Sequence, residues 1–568
     1  MQPALKKRWR IASRIPEDIE NLFLDYHPVQ RQLLYNRNVT DLDAASQFLS
    51  PGGSLYDPFL MLNMDVAADR ILWAIDRDEP IAIYGDYDVD GVTATALMVQ
   101  VLNRMGAKVC AYIPNRFEEG YGLNNEALES LYDGGVRLVI TVDCGIRSPR
   151  EASHAHHLGI DLIISDHHEP LGHLPFARAI LCPKQPGDCY PEKNLAGVGL
   201  AYKLCEALLA RRSMAEIQLE DWLDLVAVGT VADIVPLSGE NRALVRAGLR
   251  QLRQCRRQGL YSLARMAELK IEKLTARDIG FVIGPRLNAA GRLDSALAAF
   301  ELLTTTEVQR AGDLAQQLDN QNRERQELTR AMQEQAEQMA VENEDQNLVI
   351  AVHPDFNMGV VGLVASRLTD THYRPSVVGS QGETYTRASC RSIPEFHITQ
   401  ALDECADLLV RHGGHAMAAG FTIHNDHFAE LSSRLRAIAQ RELGERDLYP
   451  ELTADMEVSL YELQRELLGY IEEIEPAGLG NPGALFVSRG LKVSRYKTVG
   501  KDGSHLRLTV SEDGLMFDAI AFRQGNWAVD MPPYVDLLYA FETNEYNGRL
   551  SFQLNVRDIK PSSEPDKF

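Results

Sequence analysis

The chain lacks what several functional classes require. Its 568 residues include eight cysteines, and none stands in a CxxC pair. Cys182 and Cys189 lie closest together, with no second pair to complete a tetrahedral zinc site. Scattered single thiols read as reduced cysteines, not as a disulfide framework. No run approaches the roughly 18 apolar residues of a membrane span. The basic opening "MQPALKKRWRIASRIPEDIE" is not followed by the apolar stretch of a secretory leader. The expectation is a soluble, cytoplasmic protein without membrane contact. A positive balance is missing too. Lys and Arg number 58 against 80 Asp and Glu, for a net charge of −22. That excludes a nucleic-acid footprint spread over the whole surface, but not a locally basic groove.

What is present is material for several cores. Hydrophobic residues make up 45% of the chain, and 568 residues correspond to roughly three or four domains. Residues 1–75 read as an N-terminal helical extension with a turn at "SPGGSLYDP". From residue 76 to 303 short apolar runs alternate with helical spacing: "PIAIYGD", "AKVCAYIP", "GVRLVITVDCG", "GIDLIISDHH" and "FARAILCPK". Such alternation predicts a parallel sheet covered by helices, an α/β fold with ligands beyond the carboxyl ends of the strands. Residues 304–346 are polar, without proline, and predict one long, largely solvated helix bridging two domains. Its apolar repeat is too irregular for the sustained heptads of a coiled coil. "NLVIAVHPDFNMGVVGLVASRL" starts a second αβ unit over 347–445. Residues 450–560 hold β-like runs separated by turn signals and predict a small barrel, followed by a loose tail over 561–568.

The strand ends carry the chemistry. Asp86, Asp88 and Asp90 follow the first strand, Asp143 ends "VITVDCG", and Asp166-His167-His168 ends "IISDHH". Asp233 in "AVGTVADIVP" is a fourth candidate. Taken alone, a DxD after a strand is more often a turn or a helix cap. Acids and histidines delivered in order to one edge of one sheet point instead to a divalent-cation site. Carboxylate and imidazole without thiolate suit Mn²⁺ or Mg²⁺, with histidine favouring Mn²⁺.

"DYDVDG", "VDCG", "DHH" and "GTVADIVP" resemble the N-terminal motifs of the DHH phosphoesterase superfamily. "GPRLNAAGR" and "GGHAMAAG" resemble its later motifs, the latter typical of the DHHA1 subfamily. With "IPNRFEEGYGL", "RSIPEFHITQAL" and "EPAGLGNPGALF", the likeness covers most of 75–560 and is close to the bacterial single-strand-specific DNA exonucleases of that superfamily. Two positions depart from the pattern. Tyr84 stands where related inorganic pyrophosphatases have a histidine four residues before the first metal aspartate, and Ala477 replaces an aromatic residue in "EPAGLGNP".

The resemblance implies a DHH domain and a DHHA1 domain joined by the long helix, with a C-terminal OB-fold. It implies hydrolysis of phosphodiesters with two divalent metal ions, Mn²⁺ or Mg²⁺. Asp143 would bridge them, Asp88 would hold one, Asp90, His167 and Asp233 the other, and Asp86 would be a ligand or its neighbour. His168 would face the scissile phosphate, and Asp166 would orient a histidine. Arg286, Asn288 and Arg292 would contact phosphate. Arg116 and the Ser389/Arg391 pair would hold the 5′-terminal nucleotide, with His415 completing the pocket. In the barrel, Lys492, Arg495, Tyr496 and Lys497 form a basic strip with an aromatic member inside an acidic protein, the pattern of a groove that tracks a single strand. The family activity is processive 5′→3′ degradation of single-stranded DNA to 5′-mononucleotides in recombination and in DNA and mismatch repair. It would be carried out by a monomer beside a single-strand-binding protein and a DNA helicase. Two alternatives stand against it. One is a phosphodiesterase acting on short oligonucleotides or cyclic dinucleotides, which has no need of the barrel. The other is a non-catalytic scaffold, in which the acidic set should be eroded.

Overall fold

The computed structural model describes residues 6–50, 55–116, 119–120, 122–293, 295–342, 347–546 and 549–563. Strand β1 (Arg8–Ile11) is followed by helices α1 (Pro28–Tyr35) and α2 (Leu42–Leu49), the second capped by the Asp41 carboxylate on the Ala44 amide. The next strand, β2 (Ile81–Gly85), leads into α3 (Val89–Arg104). With β3 (Val109–Tyr112), β4 (Leu138–Val142), β5 (Asp161–Ser165) and β6 (Ala179–Leu181) it forms a parallel sheet of order β3-β2-β4-β5-β6. Each of the five apolar runs in the sequence is one of these strands. β2 and β4 are buried from end to end, as strands covered on both faces must be.

One face of the sheet packs α3, α4 (Gly197–Arg211) and α5 (Leu223–Ala232), whose Leu97, Leu200 and Val226 share one core. The other face is covered by Leu128, Ala152 and Ile160. From β2 the chain moves to β3 on one side and returns to β4 on the other. The carboxyl ends of β2 and β4 therefore part around a crevice, the usual ligand position in open α/β sheets.

Helices α6 (Gly239–Gln254) and α7 (Gly284–Leu293) extend this domain, α7 being entered through a π-helical turn at Ile279–Ile283. The long helix is α8 (Val308–Glu342). It is less solvated than its composition suggests. Ala311, Leu314 and Leu318 enter the first core, and Met332 and Ala336 enter the core of the next domain. Asp319, Asn322 and Thr329 are buried on the same stripe. Polar residues at buried positions are what made the helix read as solvated.

The second αβ unit contains β7 (Val349–His353), α9 (Val361–His372), β8 (Ser376–Gln381), β9 (Tyr385–Arg391), β10 (Leu409–His415) and β11 (Ala418–His424). Its sheet runs β10-β11-β9-β8-β7, parallel only between β7 and β8. After β12 (Glu451–Ala454) and β13 (Met456–Glu457) come β14 (Phe486–Val499), β15 (His505–Glu512), β16 (Leu515–Ala521), β17 (Tyr534–Tyr546) and β18 (Arg549–Pro561). These last five close into a barrel, because β14 pairs with both β15 and β17. Closure leaves no open edge.

Residues 1–75 read as a helical extension with a turn, and that reading leaves out β1. That strand pairs in parallel with β12, and Trp9 and Ile11 pack with Val487 and Leu538 of the barrel. Four residues are too few to show a period in sequence; the strand forms because a partner edge is waiting for it. The part of the expected loose tail beyond residue 563 lies outside the described residues. No described helix is long and apolar enough to cross a membrane.

Candidate metal centre and active site

The crevice between β2 and β4 collects the acids. Asp88 caps α3, accepting from the Asp90 amide at 2.9 Å and the Gly91 amide at 3.1 Å. The bland reading of the DxD as a helix cap is thus realised in one carboxylate, which also belongs to the acidic cluster. Gly91 is needed for the close turn, since a Cβ there would sit 2.6 Å from the Asp86 backbone. Asp143 ends β4 with φ +63, a left-handed conformation that non-glycine residues adopt at a cost. Asp90 is held by the first turn of α4: the Gly197 amide donates to Oδ2 at 2.6 Å and the Val198 amide to Oδ1 at 2.8 Å. Asp233 follows the last residue of α5.

Asp166 is buried and organises its neighbours. It accepts from the Ile146 amide at 2.9 Å, the His168 amide at 3.1 Å and His168 Nδ1 at 2.7 Å. Burial would raise this carboxyl, but the hydrogen bonds from His168 and the Ile146 amide hold it below the ordinary range. His167 Nε2 lies 3.0 Å from Asp143 Oδ1 and 3.5 Å from Asp233 Oδ2.

Three sets of donor atoms each fall within 4.8 Å of one another: Asp86, Asp88 and Asp143; Asp90, His167 and Asp233; Asp143, His167 and His168. Asp143 and His167 each belong to two sets. As bare protein groups these acids are costly. Burial first, then the neighbouring carboxylates, push Asp90 up to about 7 and Asp233 up to about 9, and raise Asp86 and Asp143 as well. Burial and the nearby His168 push His167 down to about 3, so it is a neutral imidazole suited to ligation. Asp86 Oδ1 is buried without a hydrogen-bond partner among the described residues. The donors are oxygen and imidazole nitrogen only. Cys144, next to Asp143, is buried, with its Sγ 3.7 Å from the Tyr84 carbonyl. The set fits Mn²⁺ or Mg²⁺.

Cations face the acids across a cavity of about 320 Å³ lined by Asp86, Tyr87, Asp88, Arg116, His168, Asp233, Asn288 and Arg292, with Ala232 and Gly291 between them. Arg116 lies over the Tyr87 ring, 5.2 Å from its centre. Arg292 donates to the Gly359 carbonyl at 3.3 Å, in the loop before α9. Burial, then Arg116, Arg325 and Arg391, push Arg292 down to about 10, which marks a concentration of positive charge. Arg391 donates to Ser389 Oγ at 3.0 Å, and the first turn of α9 lies against both, since a Cβ on Gly362 would sit 3.1 Å from each. The second domain thus adds Ser389 and Arg391 to the wall that Arg116 and Arg292 begin.

Other expected residues lie elsewhere. Arg286 is not in the cavity lining; it pairs with the buried Asp319 of α8 at 2.9 Å and donates to the Val282 carbonyl. Removing Asp319 by Asp319→Ala strands this arginine. The expected result is a loss of about 3 kcal/mol, read as a lower first unfolding midpoint; an unchanged midpoint shows that the pair holds nothing together. His415 is exposed at the tip of the β10–β11 hairpin, where its register partner Ala418 pairs with Arg391. Lys492, Arg495, Tyr496 and Lys497 are exposed on β14 of the barrel. Arg489 and Arg507 from the same stretch are tied to Glu457, Asp536 and Asp518. Tyr84 turns away from the acids: its hydroxyl donates to the Gly122 carbonyl at 3.1 Å and its ring stacks on Tyr112.

Sequence reasoning missed three parts. The α4 amides that grip Asp90 carry no side-chain signal, although the glycines of "AGVG" hint at a close approach: a Cβ on Gly197 would sit 2.6 Å from Asp143 Cβ. Arg325 joins the cation wall from a helix whose arginines all look solvated. The loop before α9, whose Gly359 carbonyl holds Arg292, shows in sequence only the start of a domain.

Comparison with known proteins follows this geometry. Residues 80–230 match the DHH family, N-terminal domain; 345–441 match the DHHA1 domain; 454–558 match the RecJ OB domain. The single-stranded-DNA-specific exonuclease RecJ of Bacillus subtilis is 38% identical over 567 residues, covering 98% of this chain and 71% of that one. The Escherichia coli protein of the same name is 34% identical, covering 98% of this chain and all of that one. The crystal structure of RecJ from Thermus thermophilus in complex with Mn²⁺ superimposes with a TM-score of 0.85 at 30% identity, over 98% of this chain and 80% of that one. The Mg²⁺ complex of the same protein gives 0.79 at 28% identity, over 98% of this chain and 79% of that one.

Proposed function

Since this chain belongs to the RecJ family, we propose that it is a metal-dependent exonuclease that degrades single-stranded DNA from the 5′ end to 5′-mononucleotides, processively, in recombination and repair. What carries the reading is the meeting of two walls in one cleft. Acids and histidines stand at the ends of β2, β4 and β5, Arg116 and Arg292 line the same cavity, and Arg391 of the second domain, bonded to Ser389, adds its charge beside Arg292.

Asp86, Asp88 and Asp143 would hold one cation and Asp90, His167 and Asp233 the other, with Asp143 shared. When bound, the two cations lower the pKa of an attacking water and offset the charge of an in-line displacement at phosphorus. The protein's own part is orientation. Main-chain amides of α4 fix the Asp90 carboxylate. Asp166 holds His168 by Nδ1, so the ring presents Nε2 to the phosphate. Arg116, Arg292 and Arg391 grip phosphate oxygens as guanidinium forks, and Ser389 adds a hydroxyl. A terminal phosphate seated there places the next diester over the acids, which supplies the 5′ start. The exposed strip on β14 guides the incoming strand. A single-strand-binding protein and a helicase are the partners that would deliver that strand to the monomer.

At neutral pH Asp233, raised to about 9, holds a proton and Asp90, raised to about 7, holds one for part of the time, and cations must displace them. Mn²⁺ uptake should therefore release protons and tighten as pH rises from 6 to 8. Calorimetry in buffers of different ionisation enthalpy measures the release; a buffer-independent heat sinks this account. Neutralising Lys492, Arg495 and Lys497 together should weaken binding of a long single strand and flatten its salt dependence by about 2 in the log–log slope. If dinucleotide hydrolysis alone suffers, the strip does not guide DNA.

The function itself is tested with single-stranded and duplex DNA of one sequence, labelled at the 3′ end. A ladder of shortening labelled products from the single strand alone, lost with chelator, supports the reading. Immediate release of a labelled mononucleotide reverses the polarity. Turnover confined to dinucleotides assigns the site to small substrates.

A further inference from the structure

Outside the catalytic cleft, the N-terminal helices, the start of α6 and the turn before β14 enclose a cavity of about 220 Å³. Among the described residues its lining contains Arg37, Arg242 and Arg246 and no acid. Arg37 is fully engaged, with Asp455 at 3.0 Å, Asn481 at 2.9 Å and the Leu33 and Pro482 carbonyls. Arg242 is not. It is 4% exposed, its Nη2 donates to the Glu473 carbonyl at 2.8 Å, and its guanidinium lies 4.0 Å from the centre of the Phe48 ring. Its Nε meets no acceptor among the described residues. Arg246 is half-buried and spends Nη1 on the Leu49 and Ser50 carbonyls at 3.0 and 3.2 Å.

Arginine is almost never buried this deeply without a counter-charge. Glu475 and Glu473 lend opposite charge to Arg242 and Arg246 from a distance, but their carboxylates accept hydrogen bonds from the Ala477 amide and from Gln30, and neither forms an ion pair with the two guanidinium groups. Glu192 already meets the Glu240 amide at the start of α6, so the helix end is not the unsatisfied feature. What lacks a partner among the described residues is Arg242 Nε, beside a second guanidinium whose hydrogen bonds go to neutral carbonyls.

We propose that this cavity binds a phosphate-class oxyanion, either free phosphate or the phosphate group of a mononucleotide. Guanidinium forks match tetrahedral oxyanions in geometry and charge. The space holds such an ion with a few waters at about 30 Å³ each. Bound there, it ties α2, α6 and the turn that leads into the barrel. A mononucleotide is what the proposed reaction releases, so that version of the ligand rests on the function above; the free-phosphate version does not.

The test is thermal unfolding of the intact chain with EDTA, in potassium phosphate against potassium chloride at matched ionic strength, then in thymidine 5′-monophosphate. Phosphate should raise the midpoint of the wild-type chain and of Arg292→Met, whose change lies in the catalytic cleft. Arg246→Met and Arg242→Met should weaken the apparent affinity at least tenfold. Arg246 is half-exposed, so its variant carries the test if Arg242→Met fails to fold. Equal responses to phosphate and to the nucleotide show that the phosphate group alone is recognised; a response to the nucleotide alone means that the sugar or base is held too. No stabilisation of the wild type, undiminished stabilisation in Arg246→Met, or loss in Arg292→Met alone overturns the proposal.

Discussion

An Asp143→Asn chain is expected to lose hydrolysis of single-stranded DNA by roughly a thousandfold or more while still binding the strand, a loss of about 4 kcal/mol from the transition state. Asp143 completes the set with Asp86 and Asp88, and its Oδ1 lies 3.0 Å from His167 of the other proposed position, so removing its charge should weaken both. Asparagine is the informative replacement. The residue sits at φ +63, which asparagine tolerates and alanine does not. Asp143→Ala therefore adds about 1 kcal/mol of backbone strain to the loss of charge, and the difference between the two variants isolates that strain. The same substitution carries a signed effect on stability. In chelator, burial and the neighbouring acids raise the Asp143 carboxyl, which costs folding stability at any pH above the unfolded carboxylate range, so the Asp143→Asn midpoint should rise above that of the wild type. In Mn²⁺ the order should invert, because the wild type alone gains the full binding energy. Near-normal turnover in Asp143→Asn, or the same order of midpoints in both conditions, removes Asp143 from the centre.

Arg391→Met combined with Ser389→Ala should cost about a hundredfold in rate on strands with a 5′ phosphate, the effect of removing a desolvated charge partner. The cost on 5′-hydroxyl strands should be small, so the ratio of the two rates should fall towards one. Arg391 and Ser389 stand together against the first turn of α9, and in the proposed reading only a terminal phosphate needs that corner. Equal losses on both kinds of end place the pair on the body of the strand and leave the 5′ polarity without a structural basis.

The acids were legible because strand and residue type coincide. Each short apolar run can only be a buried strand, and Asp86, Asp143 and Asp166 follow three such runs directly. A parallel sheet must bring those ends to one edge, so proximity follows from topology without any knowledge of packing. Arg116, Arg391 and Ser389 were legible only through resemblance to a family, since a single arginine on a loop carries no signature of its own. Arg286 shows the limit of that route. It stands in an acid-free stretch beside Arg292, yet Asp319, 33 positions later, draws its guanidinium away from the cleft.

The sequence by itself determined the order of the domains, the parallel sheet, the barrel and the gathering of acids and histidines at one sheet edge. Those features rest on local period, turn chemistry and the types of residue at strand ends. Only the tertiary structure decided which amides hold Asp90, which arginines face the acids and which are spent on ion pairs, and that β1 closes on β12. It also decided that the polar helix α8 is buried along one stripe. The physical reason is the same in each case. A main-chain donor, a long flexible guanidinium and a four-residue strand acquire their roles from whatever partner the fold sets beside them, and that partner lies tens to hundreds of residues away.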